Sequence, residues 1–304
     1  SVGGTNNLSL WKSAAPPTGT SWSRVLVTPS VGGGNGSVRV SPDYATTSTL
    51  YFFDTALNGP IYCSTDGGNT FTQRASPAGI SITGPTIAVV NANTLHVADN
   101  TATPKIYKST DGASSWSTGV PANVTGPIRS LLAPKTDFVL VGGVGNIGYS
   151  TDGGQTFPIT NRITGPNPAE SYRVAASNNF AIDNIFFAAD YAGVTGMVYR
   201  YAIGTDTALV AVNTPPAPGA SVRGLSMRTG VLYVQYGATG GNVTNRTANP
   251  LVAPASIAWT TLAAPTGVTA QGINFLTASA PDNVLWVTDW VCLLYTSPSP
   301  RDRQ

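Results

Sequence analysis

Ser64-Thr65-Asp66-Gly67-Gly68-Asn69-Thr70-Phe71 recurs as Ser109-Thr110-Asp111-Gly112-Ala113-Ser114-Ser115-Trp116 and again as Ser150-Thr151-Asp152-Gly153-Gly154-Gln155-Thr156-Phe157. Each copy follows a short strand-like run with tyrosine at or near its end: Ile61-Tyr62, Ile106-Tyr107 and Tyr149. The serines fall 45 and 41 residues apart, the length of a four-stranded propeller blade rather than of a helical solenoid repeat. Local chemistry agrees with that period. An apolar strand runs into a tight Asp-Gly turn, and an aromatic residue starts the next strand. In such a turn Asp66, Asp111 and Asp152 accept hydrogen bonds from the turn's own amides. The following glycine takes positive φ, and the Ser and Thr hydroxyls satisfy the remaining donors. Phe71, Trp116 and Phe157 are then expected to anchor each hairpin between neighbouring blades.

Between the repeats, β-branched and aromatic runs of four to eight residues alternate with Gly, Pro, Asn and Asp turns, and no segment has a 3.6-residue period. The fold class is therefore all-β: a propeller of four-stranded antiparallel blades, each running inner strand, second strand, hairpin with the repeated turn, outer strand. Thr86–Val90 and Thr94–Ala98 are predicted as the inner two strands of the blade that carries the second turn, and Phe138–Val141 has the same place before the third. Ser41-Pro42-Asp43-Tyr44 leading to Leu50–Phe53 matches Ser177-Asn178-Asn179-Phe180 leading to Ile185–Ala188. A fourth blade reaches Val198–Tyr201 and has Gly204-Thr205-Asp206 where a repeat is due. A fifth is predicted from Val222 through Val231–Val234 to Ile257-Ala258-Trp259. Leu10–Ser13 and Ser21-Trp22 suggest the outer hairpin of an earlier blade, and Ile273–Trp290 opens a further one.

The repeated segment resembles the Asp-box, Ser-x-Asp-x-Gly-x-Thr-Trp, of the BNR-repeat propellers. These include sialidases, xyloglucanases, sortilin-type receptors and photosystem-assembly-factor-like propellers. The resemblance implies a structural role at the blade periphery for Ser64, Asp66, Gly68 and Phe71, for Ser109, Asp111 and Trp116, and for Ser150, Asp152, Gly154 and Phe157. The second copy departs from the pattern at Ala113 and Ser115, and Phe71 and Phe157 stand where the family has Trp. The resemblance also implies a ring of six to eight blades, of which this chain is an incomplete part, and an exported or cell-surface location.

Composition limits the partners. Only 10% of the 304 residues are charged, against roughly 25% in an average soluble domain. The 16 basic and 14 acidic residues are spread without runs, for a net charge of +2. That distribution excludes the electrostatic footprint of a nucleic-acid or anionic-membrane binder. No run of ~18 apolar residues marks a membrane-inserted span, and no leader pattern is present in this stretch. Cys63 and Cys292 give no disulfide framework, and His96 is the one histidine, so neither a metal site nor a cofactor is expected. Gly32-Gly33-Gly34 belongs to a flexible Ser/Asn/Gly turn. From Cys292 to Gln304 the strand pattern breaks off, and the Ser-Pro-Ser-Pro-Arg-Asp-Arg tail resembles translated sequencing adapter. The organisation expected is a single propeller fragment over 1–291 and a non-native tail over 292–304. An unclosed ring exposes strand edges, so marginal stability is expected of it.

Catalysis finds little material. Paired carboxylates suggest glycoside hydrolysis, and Asp54 and Asp190, at the ends of matching runs, are the candidates. Asp99 has the analogous place in a third blade, which points to a repeated structural role instead. A sialidase needs three arginines, a Tyr–Glu pair and an acid Asp, but the chain has no Phe/Tyr-Arg-Ile-Pro segment and a single glutamate, Glu170. Tyr44, Tyr172, Tyr191 and Tyr236 are candidates for a carbohydrate-stacking face. Asn7, Asn35, Asn123, Asn242 and Asn245 begin glycosylation sequons that an Asn/Thr-rich chain produces by chance. The function expected is a non-enzymatic binding or scaffold module for protein or glycan. The alternative is a fragment of a glycoside hydrolase, xyloglucanase-like rather than sialidase.

Overall fold

The computed structural model describes residues 6–13, 22–30, 36–54, 59–80, 82, 86–191, 196–212, 221–238 and 241–262. Ile273–Trp290, the tail over 292–304 and Gly32-Gly33-Gly34 lie outside them.

Five four-stranded antiparallel sheets follow one another as the blades of a β-propeller. The first contains β3 (Gly36–Val40), β4 (Leu50–Asp54), β5 (Ile61–Ser64) and β6 (Thr72–Arg74). The second contains β7 (Ile87–Val89), β8 (Leu95–Ala98), β9 (Lys105–Ser109) and β10 (Val120–Pro121). The third contains β11 (Thr125–Lys135), β12 (Phe138–Val144), β13 (Asn146–Ser150) and β14 (Arg162–Thr164). The fourth contains β15 (Tyr172–Ala176), β16 (Ile185–Asp190), β17 (Val198–Ala202) and β18 (Val210–Ala211). The fifth contains β19 (Ser221–Arg228), β20 (Val231–Ala238), β21 (Gly241–Thr247) and β22 (Thr260–Leu262). Before them β1 (Asn6–Ser13) and β2 (Trp22–Ser30) pair as a two-stranded sheet, which Lys12 fastens to the first blade by a 2.7 Å bond from Nζ to Asn69 Oδ1.

The second strand of each blade is predominantly apolar on both sides because both faces of a blade are covered. Along β12, Val139 and Val141 pack toward the second blade while Phe138 and Leu140 pack toward the fourth. Along β16, Phe186 and Ala188 face the third blade, and Phe187 and Ala189 face the fifth. Each apolar core thus lies between two consecutive blades. Truncating one of these side chains to alanine costs about 2–5 kcal/mol.

The matched openings at Ser41 and Ser177 form matched one-turn helices, α1 (Tyr44–Thr47) and α2 (Phe180–Asp183), which end on the left-handed residues Ser48 and Asn184 and lead into β4 and β16. The fifth blade departs from the sequence reading. Its third strand is β21, which that reading passes over. Its outer strand is Thr260–Leu262, just after Ile257-Ala258-Trp259. Asn245 lies on β21 and is fully buried, so its sequon presents no free asparagine to a glycan.

Candidate functional site

The three repeated turns join third strand to outer strand in the first three blades, and they spend their carboxylates on themselves. Ser64 Oγ donates to Asp66 Oδ1 at 2.8 Å. The same aspartate accepts from the backbone N–H groups of Asn69 and Thr70, each at 2.9 Å, and from Thr70 Oγ1 at 2.6 Å. Asp111 and Asp152 make the corresponding bonds with Ser109 and Ser115, and with Ser150, Gln155 and Thr156. Thr70 foremost, then Ser64, holds Asp66 far below the usual carboxylate range. The same bonds from Ser115 and Ser109 bring Asp111 to about 2. At Asp152 burial pushes upward, but bonds from Ser150 and Thr156 overrule it and leave the group at about 2. Gly68 and Gly154 take φ of 83° and 81°, and Ala113 takes 65° in the same place. Two of the three aromatic residues lock onto the preceding blade: Trp116 Nε1 donates to Ala75 O at 2.8 Å, and Phe157 is buried in the core between the second and third blades, while Phe71 is half-buried. In the fourth blade Asp206 Oδ2 accepts from Ala202 N at 2.8 Å, a different turn that closes on its own strand.

The candidate acids Asp54 and Asp190 are 1% and 0% exposed. They share with Asp99 one backbone device at the end of the second strand. Their N–H groups donate to Pro60 O at 3.0 Å, to Met197 O at 3.1 Å and, for Asp99, to Lys105 O at 3.1 Å. Three blades repeating one bond is a structural pattern. Glu170, half-buried, forms no hydrogen bond to a tyrosine among the described residues. Of the four candidate tyrosines, Tyr172 and Tyr236 are removed from any stacking face. They are fully buried, with hydroxyls donating to Asn167 O at 3.2 Å and Gly196 O at 3.0 Å. Sequence pattern does not separate a core aromatic from a surface one, because packing between sheets uses both alike. Tyr44 and Tyr191 are half-buried.

Among the described residues a concave feature lies on the propeller axis. The inner strands β3, β7, β11, β15 and β19 surround a cavity of about 580 Å³. Its wall is aliphatic, with Val40, Val89, Leu132 and Met227 among its residues, and its charged groups are Arg39, Arg173 and Arg228; no Asp or Glu lines it among the described residues. Arg39 Nη1 donates to Ser37 Oγ at 3.0 Å and Val38 O at 2.9 Å, and burial pulls its pKa down to about 10. Arg173 also reaches Tyr191. Arg129 on β11, Arg173 on β15 and Arg223 on β19 place their guanidinium carbons 5.0, 4.7 and 5.4 Å from the Tyr191 ring centroid. The sequence reading missed these arginines. Their spacing of 44 and 50 residues is the blade period, and that was the trace available.

No protein-family model matches the chain, and no curated protein matches it. Solved structures do. The GH74 enzyme of Niastella koreensis is 23% identical over 74% of this chain, with a TM-score of 0.56, and the GH74 xyloglucanase of Xanthomonas campestris is 16% identical over 75%, also at 0.56. The chain spans 37% and 38% of those two enzymes. YCF48 bound to D1 peptide is 15% identical over 76% of this chain and 68% of its own, with a TM-score of 0.52. At such identities the likeness is one of fold.

Proposed function

We propose that this chain is a non-enzymatic binding module, exported or displayed on a cell surface, that takes a protein or glycan at the axial face of its propeller. The observation that carries the reading is the cavity wall: among the described residues, five inner strands contribute aliphatic side chains and arginines to it and no carboxylate, whereas two-carboxylate hydrolysis requires a pair of acids at the bond to be cut. Asp54 and Asp190, the acids that sequence favours, are buried inside their blades and are not among the residues lining the cavity. A concave wall of apolar surface with a few polar groups is the usual form of a ligand site. The fold neighbours include a propeller solved with a peptide bound as well as a xyloglucanase. The low fraction of charged residues supports export.

The test is to incubate the purified chain with peptide and glycan arrays, and in parallel with xyloglucan while reducing ends are measured. Binding without new reducing ends is the expected result. Release of reducing ends that disappears in Asp190→Asn would instead favour the hydrolase-fragment reading, with the rest of its site on further blades.

A further inference from the structure

Three cations converge where nothing among the described residues neutralises them. Arg129, Arg173 and Arg223 come from three consecutive inner strands and share one aromatic ring, with Arg223 Nη1 also donating to Tyr191 Oη at 3.5 Å. Tyr191 is fixed at the head of β15 by its N–H, which donates to Ser171 O at 2.7 Å. The quadrupole of a tyrosine ring attracts a cation, but a single ring does not offset the mutual repulsion of three. The ion pair formed among the described residues is Lys135–Asp137, elsewhere in the third blade, so none of the three has a carboxylate partner there. The Nε atoms of Arg129 and Arg173 are buried with no hydrogen-bond partner, an arrangement that costs free energy until an acceptor arrives. Burial foremost, opposed by the Tyr191 phenol and reinforced by the like charges of Arg129 and Arg223, leaves Arg173 at about 10. Like charges held together, half-buried and with donors unspent, are preorganised for an anion, because a guanidinium presents parallel N–H groups that match the oxygens of carboxylate, sulfate or phosphate.

The geometry points to an oxyanion site formed by Arg129, Arg173 and Arg223 around Tyr191, which receives a carboxylate, sulfate or phosphate group of the ligand that enters the axial face. The inference rests on the binding-module reading and adds the chemical class of the group recognised. Chain net charge near zero hides the site, because the basic groups gather only when the blades are assembled around the axis.

The experiment is thermal unfolding of the full chain against sodium acetate, sulfate and phosphate, each compared with sodium chloride at matched ionic strength, beside an Arg173→Gln, Arg223→Gln double variant. The expected result is saturable stabilisation by at least one of the three anions in the millimolar range. The double variant should lose that response and, relieved of like-charge repulsion, melt no lower than the parent without anion. Acetate acting ahead of the tetrahedral anions identifies an acid ligand, and the reverse order identifies an ester. Sulfate and phosphate also stabilise proteins by exclusion from their surface, but that effect does not saturate and is the same in the variant. A response equal in parent and variant, or none beyond chloride, overturns the site. So does a double variant that melts several degrees lower without anion while keeping its response, since the arginines are then packing groups. Arrays that bind nothing while the anion response stands would remove the module reading and leave the oxyanion site intact. Array binding that persists unchanged in a variant without anion response would do the opposite.

Discussion

The imidazole of His96, on the second strand of the second blade, lies against the α-carbon of Gly154 in the third blade's turn, so closely that a β-carbon there would stand 2.8 Å from Cε1 and 3.0 Å from Nδ1. Gly154 also has a φ of 81°. Two separate demands, left-handed backbone and a neighbouring blade's side chain, therefore exclude anything larger than hydrogen.

Gly154→Ala tests both demands. The left-handed strain costs about 1–2 kcal/mol, and displacing a buried imidazole from a packed site costs about 1–3 kcal/mol more. Denaturant unfolding at neutral pH should show a loss of about 2–5 kcal/mol. Ala113, in the same place in the second turn at a φ of 65°, carries its methyl into the core between the first two blades. Ala113→Gly relieves strain of about 1 kcal/mol and loses burial of about 0.8 kcal/mol. Its net change should stay within about 1 kcal/mol, and a loss at Gly154 no larger than that at Ala113 would mean the two sites are alike.

His96 makes stability fall on mild acidification. Burial first, and then the positive charge of Lys108, lower its pKa from 6.5 to about 4. Between those values the unfolded chain binds the extra proton and the folded chain does not, so stability is full above pH 6.5 and declines until pH 4. The drop amounts to roughly 3 kcal/mol at most. Unfolding midpoints measured from pH 7.5 to 4 should follow that slope, and His96→Leu should flatten it. A His96→Leu profile that keeps the slope would assign it to other groups.

The turn aspartates act in a lower window. Asp152 titrates at about 2 in the folded chain and at the ordinary 3.8 when unfolded, so its contribution is present above about pH 4 and vanishes as pH falls through 2. Asp152→Ala removes acceptors from Ser150, Gln155 and Thr156. At pH 7 it should cost about 1 kcal/mol, the usual value of a capping interaction, and less at pH 2.5. An equal loss at both pH values would show that the carboxylate charge is not what the turn uses.

Asp190 is predicted to be a residue of stability. Its carboxylate lies 3.4 Å from Tyr199 Oη inside the fourth blade. Asp190→Ala should lower stability by about 1–3 kcal/mol, the cost of leaving a buried partner unsatisfied, and should leave binding of any array ligand unchanged. A variant that melts like the parent but no longer binds would move Asp190 from the blade to the site.

The sequence alone determined the blade. The chemistry that forms each repeated turn is local: a serine, an aspartate and a glycine or its substitute within five residues, followed by an aromatic, at intervals that only a four-stranded sheet fills. The second strands were equally legible, since a run such as Phe138–Val141 is apolar on both faces. Tertiary structure decided the rest. β21, Gly-Asn-Val-Thr-Asn-Arg-Thr, has little hydrophobicity of its own and becomes a strand because β20 and β22 both pair with it, and pairing within the sheet outweighs intrinsic strand preference. Tyr172, Tyr191 and Tyr236 are one residue type with two fates: Tyr172 and Tyr236 lie in strands and are buried, whereas Tyr191 follows the end of β16 and is half-buried. Arg129, Arg173 and Arg223 are dispersed over 95 positions of sequence. They become neighbours through the rotation of one blade relative to the next about the axis, a relation that residue order does not encode locally.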